Sequence, residues 1–266
     1  MLWEDIINKS KSAKVDPKQI FREDMQKTLL TIFSQEGCFE KVVFQGGTAL
    51  RLFYGNPRFS EDIDLVVRQG GKNININLYS SKSQKLTKNI FPFLQDISYE
   101  IQKDTPEIQR FVLETKGINQ LQNIRIHVEL VNIPSYYNQP RLLEFPPLNP
   151  AIRVEEEKEI LADKITALGC RAYIKGRDLW DIYFLTEEKN YVIPWDLVKK
   201  KVNDYNYSTD EYNKNLKKRN EEIKINGTKI LSNELKRFLP PSVYNQYESM
   251  FNKILLKVTE NIKEKL

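Results

Sequence analysis

Histidine and cysteine are almost missing from this chain: its 266 residues hold one His and two Cys. A closed zinc site takes four such ligands, and His127, Cys38 and Cys170 supply three. Two cysteines cannot build a disulfide framework and fit a reducing cytosol. A Ser-His-Asp relay would depend on His127 alone. Long apolar runs are lacking too, since no stretch approaches the roughly 20 residues that span a bilayer. Met1-Leu-Trp-Glu-Asp opens without the basic and apolar segments of a secretory signal. These absences predict a soluble cytoplasmic protein with no membrane partner. What remains is chemistry by carboxylates, lysines and backbone groups, a set suited to metal-assisted phosphoryl transfer.

Charge is unevenly placed. The net formal charge is +5, and residues 195–266 carry 15 basic against 10 acidic side chains, so residues 1–194 are balanced. A cationic end on a neutral body hints at an anionic partner such as nucleic acid. A solvated, lysine-rich helical surface explains the same numbers, and charge alone favours that plainer account.

Along the chain, residues 17–36 predict an amphipathic helix with Asp16 as N-cap, Pro17 in its first turn and Ile20, Met25, Leu29, Ile32 and Phe33 as its apolar stripe. A short strand over 41–45 stops at Gly46-Gly47, and residues 48–54 read as a helix ended by Gly55-Asn56-Pro57. Residues 61–67 alternate, with Ile63, Leu65 and Val67 on one face and Asp62 and Asp64 on the other. The polar stretch 69–83 reads as a loop and 84–103 as a helix. Strands are expected near 109–115 and 123–132; in the second, Ile124, Ile126, Val128 and Leu130 oppose Arg125, His127 and Glu129. The proline-rich passage 134–150 reads as a boundary. Helices are expected over 155–173 and 178–187, with about three more behind them. The expected organisation is an α+β domain over 1–150, a mixed sheet with flanking helices, followed by a helical domain over 151–266.

The densest constellation runs from Phe44 to Leu65. Gly46 and Gly47 lie between a strand and a helix, where backbone N–H groups can approach phosphate oxygens at a positive helix end and the Thr48 hydroxyl can add a hydrogen bond. Asp62 and Asp64 project side by side from a strand and can hold two magnesium ions, because hard cations prefer carboxylate oxygens. Gly-Gly alone is usually a turn and Asp-x-Asp alone a solvated strand end. Their combination across one short helix is far more specific.

With GGTALR followed by RFSEDIDLVV, the sequence resembles the AbiEii/AbiGii toxin family of polymerase-β-like nucleotidyltransferases. LADKITALGCRAYIKGRDLWDIYFL resembles that family's later motif, a helical Lys before Arg-Asp and Asp-x-Tyr, so two blocks match in the expected order over residues 44–185. The resemblance implies the nucleotidyltransferase fold, with Gly46, Gly47 and Thr48 on the triphosphate and Ser60 beside it. It implies Asp62 and Asp64 as metal ligands, Lys164 on the nucleotide phosphates and Asp178 as a further residue needed for activity. Arg177 and Asp181 would be supporting partners, and Arg58 either pairs with a carboxylate or touches phosphate. A third metal carboxylate is expected on a neighbouring strand; Glu129 fits best and Glu114 is the runner-up. His127 reads as a strand residue packed beside the site. Trp180, Tyr183 and Phe184 read as core.

The implied reaction is magnesium-dependent transfer of a nucleoside monophosphate (NMP) from an NTP to a hydroxyl, with RNA, specifically the 3′ end of tRNA, as acceptor. The implied setting is a toxin–antitoxin or phage-defence system with a cognate antitoxin, and the protein reads as a monomer. Nucleotidylation of a small molecule or protein is the alternative chemistry, and a catalytically silent RNA- or protein-binding module the alternative class.

Overall fold

The computed structural model describes residues 1–70 and 74–263. Two compact units divide the chain: one takes residues 1–55 and 59–155, the other residues 56–58 and 156 onward.

The first unit contains α1 (Trp3–Ala13), α2 (Pro17–Gln35), β1 (Val42–Gln45), α3 (Gly46–Tyr54), β2 (Ile63–Arg68), α4 (Tyr79–Ile90), β3 (Leu94–Asp104), β4 (Ile108–Gly117), β5 (Arg125–Ser135), β6 (Asn138–Leu142) and β7 (Ala151–Glu155). The strands form one mixed sheet in the order β3-β4-β5-β2-β1-β7-β6. β1 is antiparallel to β2 and parallel to β7, and β2 is parallel to β5. Val42, Val43 and Phe44 are buried without alternation, the pattern of a strand covered on both faces. α2 is capped as expected, with the Asp16 carboxylate accepting from the Lys18 amide and Pro17 in the first turn. Phe21, Phe33, Phe44, Phe91 and Phe111 are all fully buried. Each contributes about 1.5–3 kcal/mol by leaving water.

The expected helix over 84–103 is half wrong. α4 stops at Ile90, and 94–104 is the strand β3. Leu94, Ile97 and Ile101 are spaced like one face of a helix, while Ile97, Tyr99 and Ile101 alternate like a strand. Pro92 decides between them, because proline removes a backbone donor and disfavours helical geometry at Phe91. The loop expected over 69–83 likewise contains a 3₁₀ turn (Ile76–Leu78) and the start of α4; its residues 71–73 lie outside the described residues. The stretch 134–150, expected as a boundary, lies within the first unit. Pro134 ends up in β5 and Pro140 in the edge strand β6, opposite Arg153, where a missing donor costs least. β7 then pairs with β1, so the units part after Glu155 and not at 150.

The second unit is all helix: α5 (Glu157–Cys170), α6 (Gly176–Tyr183) running into a π turn (Phe184–Glu188), α7 (Trp195–Asp204), α8 (Thr209–Phe238), α9 (Pro241–Glu248) and α10 (Phe251–Lys263). Helix 155–173 is thus trimmed at both ends, Glu155 belonging to β7. Along α8, Tyr212, Leu216, Asn220, Ile223, Gly227, Leu231, Leu235 and Phe238 are buried at steps of three and four, one continuous stripe. A Cβ on Gly227 would lie 2.9 Å from both Leu255 methyls, so the missing side chain sets how closely α8 and α10 approach.

Candidate active site

β1 runs straight into α3 with no loop between them, and Gly46 is already the first helical residue. Its φ of +81° is one that glycine adopts without strain. A second constraint acts at the same atom. Gln45 pairs with Asp64 across the β1–β2 ladder, and a Cβ on Gly46 would lie 2.7 Å from Asp64 Oδ2. No side chain caps this helix start, so its first amides are left for an anion beside the Asp64 carboxylate.

Gly55 provides an internal control. It ends α3 at φ +77° with nothing within 4 Å of its missing Cβ. Gly55→Ala and Gly46→Ala should each cost about 1–2 kcal/mol in urea melts from the left-handed backbone. Only Gly46→Ala should also remove activity, by displacing the Asp64 carboxylate. Equal activity in the two variants would contradict that role for Gly46.

The segment before β2 is fixed from three sides. Thr48, 1% exposed, donates its hydroxyl to the Asp62 carbonyl; the group expected to meet phosphate holds the chain instead. Gln26 of α2 donates to the Ser60 carbonyl at 3.1 Å, and Arg22 pairs with Glu61 at 3.3 Å. The Asp62 carboxylate is half-exposed, with His127 Nδ1 at 3.1 Å from its Oδ1. His127 therefore does sit beside Asp62.

The sheet register distinguishes the two candidate third carboxylates. Asp64 and Glu129 are direct partners on the parallel strands β2 and β5, which lie about 4.8 Å apart. Glu114 is on β4, with β5 between it and β2, and it pairs with Arg125 at 2.9 Å. Glu129 is also engaged: its Oε2 accepts from both Nε (2.6 Å) and a terminal nitrogen of Arg110, its cross-strand partner. Among the described residues, no cluster of three or more His, Cys, Asp or Glu side chains is arranged to hold a metal ion. Asp62 meets His127 where Glu129 meets Arg110.

The second motif builds a charge cluster in the helical unit. Lys164 Nζ, on α5, lies 2.8 Å from Asp178 Oδ1 and 2.8 Å from Asp181 Oδ2, both on α6. Arg58 grips Asp181 with two bonds of 2.9 and 2.7 Å, and both side chains are buried. Arg171 adds a further bond to Asp178. Asn56 donates to Asp181 and accepts from the Trp180 indole. Burial pushes the Asp178 carboxyl up, but the Lys164 and Arg171 charges outweigh it and hold it down at about 2. Asp181 is lowered in the same way, with burial opposed by Arg58 and Lys164. Burial lowers Lys164 while Asp178 and Asp181 raise it, and the carboxylates win. Of the two roles open for Arg58, the structure gives it the carboxylate. Arg177 bonds Glu234 through its backbone N–H at 3.0 Å and lays its guanidinium over Phe238, fastening α6 to α8.

A family model described as the nucleotidyl transferase AbiEii toxin of type IV toxin–antitoxin systems matches residues 28–262. The chain belongs to the AbiEii family. It is a nucleotidyltransferase of that type IV class. No protein with a curated description matches it. Two solved Helicobacter pylori structures share its fold. JHP933 is 19% identical with a TM-score of 0.54, covering 93% of this chain and 94% of its own. A putative nucleotidyltransferase is 20% identical with a TM-score of 0.53, covering 91% and 95%. No described helix is long and apolar enough to cross a membrane.

Four residues of this AbiEii chain that contact the candidate site residues escape a reading of the sequence. Arg110 requires the β4–β5 register, and Gln26 requires the packing of α2. Asn56 reads only as the turn before Pro57. Arg171 does lie inside the second motif, but nothing in its spacing assigns it to Asp178.

Proposed function

We propose that this chain transfers an NMP from an NTP to a hydroxyl of RNA, the 3′ end of tRNA, as the toxin of a type IV pair whose partner is a cognate antitoxin. In this reaction the acceptor oxygen bonds to the α-phosphorus, the α–β phosphoanhydride breaks, pyrophosphate leaves and the hydroxyl proton is lost. One observation carries the reading: Asp64 lies against the uncapped start of α3, two residues from Asp62 and in register with Glu129. Amides that attract phosphate and carboxylates that attract cations belong together only where a polyphosphate and a metal meet.

The donors fit magnesium by type, being hard carboxylate oxygens. Asp62 and Asp64 would hold the ions, with Glu129 joining them once Arg110 lets go. Bound there, magnesium would supply charge stabilisation of the phosphate oxygens. The chain's own groups do the rest. The Gly46 and Gly47 amides donate to the triphosphate, Ser60 offers its hydroxyl beside them, and Thr48 and His127 hold Asp62 in place. Lys164 has three ammonium hydrogens, of which Asp178 and Asp181 take two, and the third is assigned to a phosphate. Asp178 is required because it orients that ammonium. The basic end of the chain supports RNA as acceptor.

Incubation with each labelled NTP, magnesium and total tRNA, protein or small hydroxyl compounds tests the reading. Label should enter tRNA. Label in protein or a small compound would move the acceptor, and no transfer to any class would refute the reaction. In the same assay Glu129→Gln should lose about tenfold or more, while Glu114→Gln should stay near wild type. The reverse order would assign the third carboxylate to Glu114.

A further inference from the structure

A second polar cleft lies at the other end of β1. It holds about 570 Å³ and is lined by Ser34, Glu40, Lys41, Arg68, Pro140 and Arg153, among others. Lys41 immediately precedes β1, Arg68 ends β2 with its amide bonded to the Lys41 carbonyl at 2.8 Å, and Arg153 stands on β7. In the same unit Arg22, Arg51, Arg110 and Arg125 each meet a carboxylate. Among the described residues, Lys41, Arg68 and Arg153 are in no ion pair. Glu40 reaches them only through its backbone carbonyl, 3.5 Å from an Arg68 nitrogen. Arg153 spends one terminal nitrogen on Asn138 at 3.2 Å, and its buried Nε has no acceptor. Burial, and then the Arg68 charge, push the Arg153 guanidinium below its ordinary value. Like charges have been gathered here with, among the described residues, no carboxylate at ion-pair distance.

We propose that Lys41, Arg68 and Arg153 form a second anion site, one that takes a phosphate group and is separate from the nucleotide. Two guanidinium forks and an ammonium suit a tetrahedral oxyanion, which offers several acceptor oxygens at once. The site is not an extension of the triphosphate contact. The four residues of β1 separate Lys41 from Gly46, five steps of about 3.3 Å or roughly 16 Å. The phosphate is therefore a free ion or a distant phosphodiester of a polynucleotide. The site stands whether or not the transfer reading does, because it is read by binding and not by turnover.

The test uses the full chain with two ligands: inorganic phosphate by calorimetry and a labelled single-stranded RNA by anisotropy across a salt series. Arg68→Gln/Arg153→Gln is compared with Lys103→Gln/Lys116→Gln, which removes equal charge from the far edge of the sheet. The arginine pair alone should weaken binding about tenfold or more and make the RNA salt dependence shallower by about one to two contacts. Loss toward both ligands identifies a free-phosphate site, and loss toward RNA alone identifies a phosphodiester site. Wild-type protein that binds neither ligand, or an arginine pair that behaves like the lysine pair, overturns the proposal. Arg68→Gln alone, at an exposed position, keeps the comparison readable if the double variant unfolds, since a phosphate-induced rise in melting temperature should shrink in it too.

Discussion

Asp62→Asn and Asp64→Asn should each abolish NMP transfer while leaving the fold intact. Each change keeps the side chain's shape and removes one negative charge from a site that has few to spare. Glu129 already pairs with Arg110, so loss of either aspartate leaves one fewer carboxylate charge to hold a metal. A carboxylate-held metal supplies several kcal/mol of charge stabilisation, and about 1.4 kcal/mol corresponds to a factor of ten. The expected loss is therefore about a thousandfold. The fold should survive for a local reason. Thr48 holds Asp62 through the backbone carbonyl, which the substitution does not touch, and the Asp62 side chain is half-exposed. At Asp64 the cost should be larger but still small, because an amide against Gly46 faces the α3 amides with one oxygen in place of two. Far-ultraviolet circular dichroism and a thermal melt check the fold, and labelled-NTP transfer checks the chemistry. A folded Asp62→Asn protein with wild-type transfer would remove the carboxylates from the reaction.

Side-chain faces and strand register around the candidate aspartates were legible in the sequence to very different depths. Asp64 on β2, Asp62 just before it and the His127/Glu129 face of β5 follow from strict alternation, and the structure keeps the β5 face as read, with Ile126, Val128 and Leu130 buried. Side-chain parity is a local property, so a single chain reports it. Register is not local. That Asp64 stands opposite Glu129, and Arg110 opposite Glu129 in turn, depends on how three strands slide past one another, and no residue type announces it. Thr48 shows the same limit on a smaller scale: its place after two glycines suggests phosphate, while the nearest acceptor is the carbonyl of Asp62. α1 went unread for a different reason. Its only fully buried apolar residue is Ile6, and Trp3 is held by stacking on Phe21 and Phe93 rather than by a stripe along the helix.

Asp181→Ala should be the most destabilising substitution in the helical unit, while Lys164→Ala should be damaging chiefly to activity. The difference follows from how much buried counter-charge each deletion removes. Asp181 is fully buried, as is Arg58 beside it, and deleting the carboxylate takes two charge-assisted bonds from a guanidinium that the protein cannot deprotonate. Breaking a buried pair from one side costs about 3–5 kcal/mol. Deleting Lys164 leaves both carboxylates with partners. Asp178 keeps Arg171, and Asp181 keeps Arg58 and Asn56. Urea melts should therefore rank Asp181→Ala well below Lys164→Ala, and transfer assays on the folded Lys164→Ala protein should show the loss that the melts do not. Equal destabilisation would make Lys164 a structural residue, and unchanged kinetics across NTP concentrations would deny it the phosphate. The cluster also sets an acid limit. The Asp178 carboxyl is held at about 2, below the ordinary carboxylate value near 3.9. Its stabilising contribution is thus complete above about pH 4 and is lost as pH falls toward 2, because the unfolded chain takes up the proton first. Asp178→Asn should flatten the fall in stability between those limits, and a variant that tracked wild type through that window would place the acid sensitivity elsewhere.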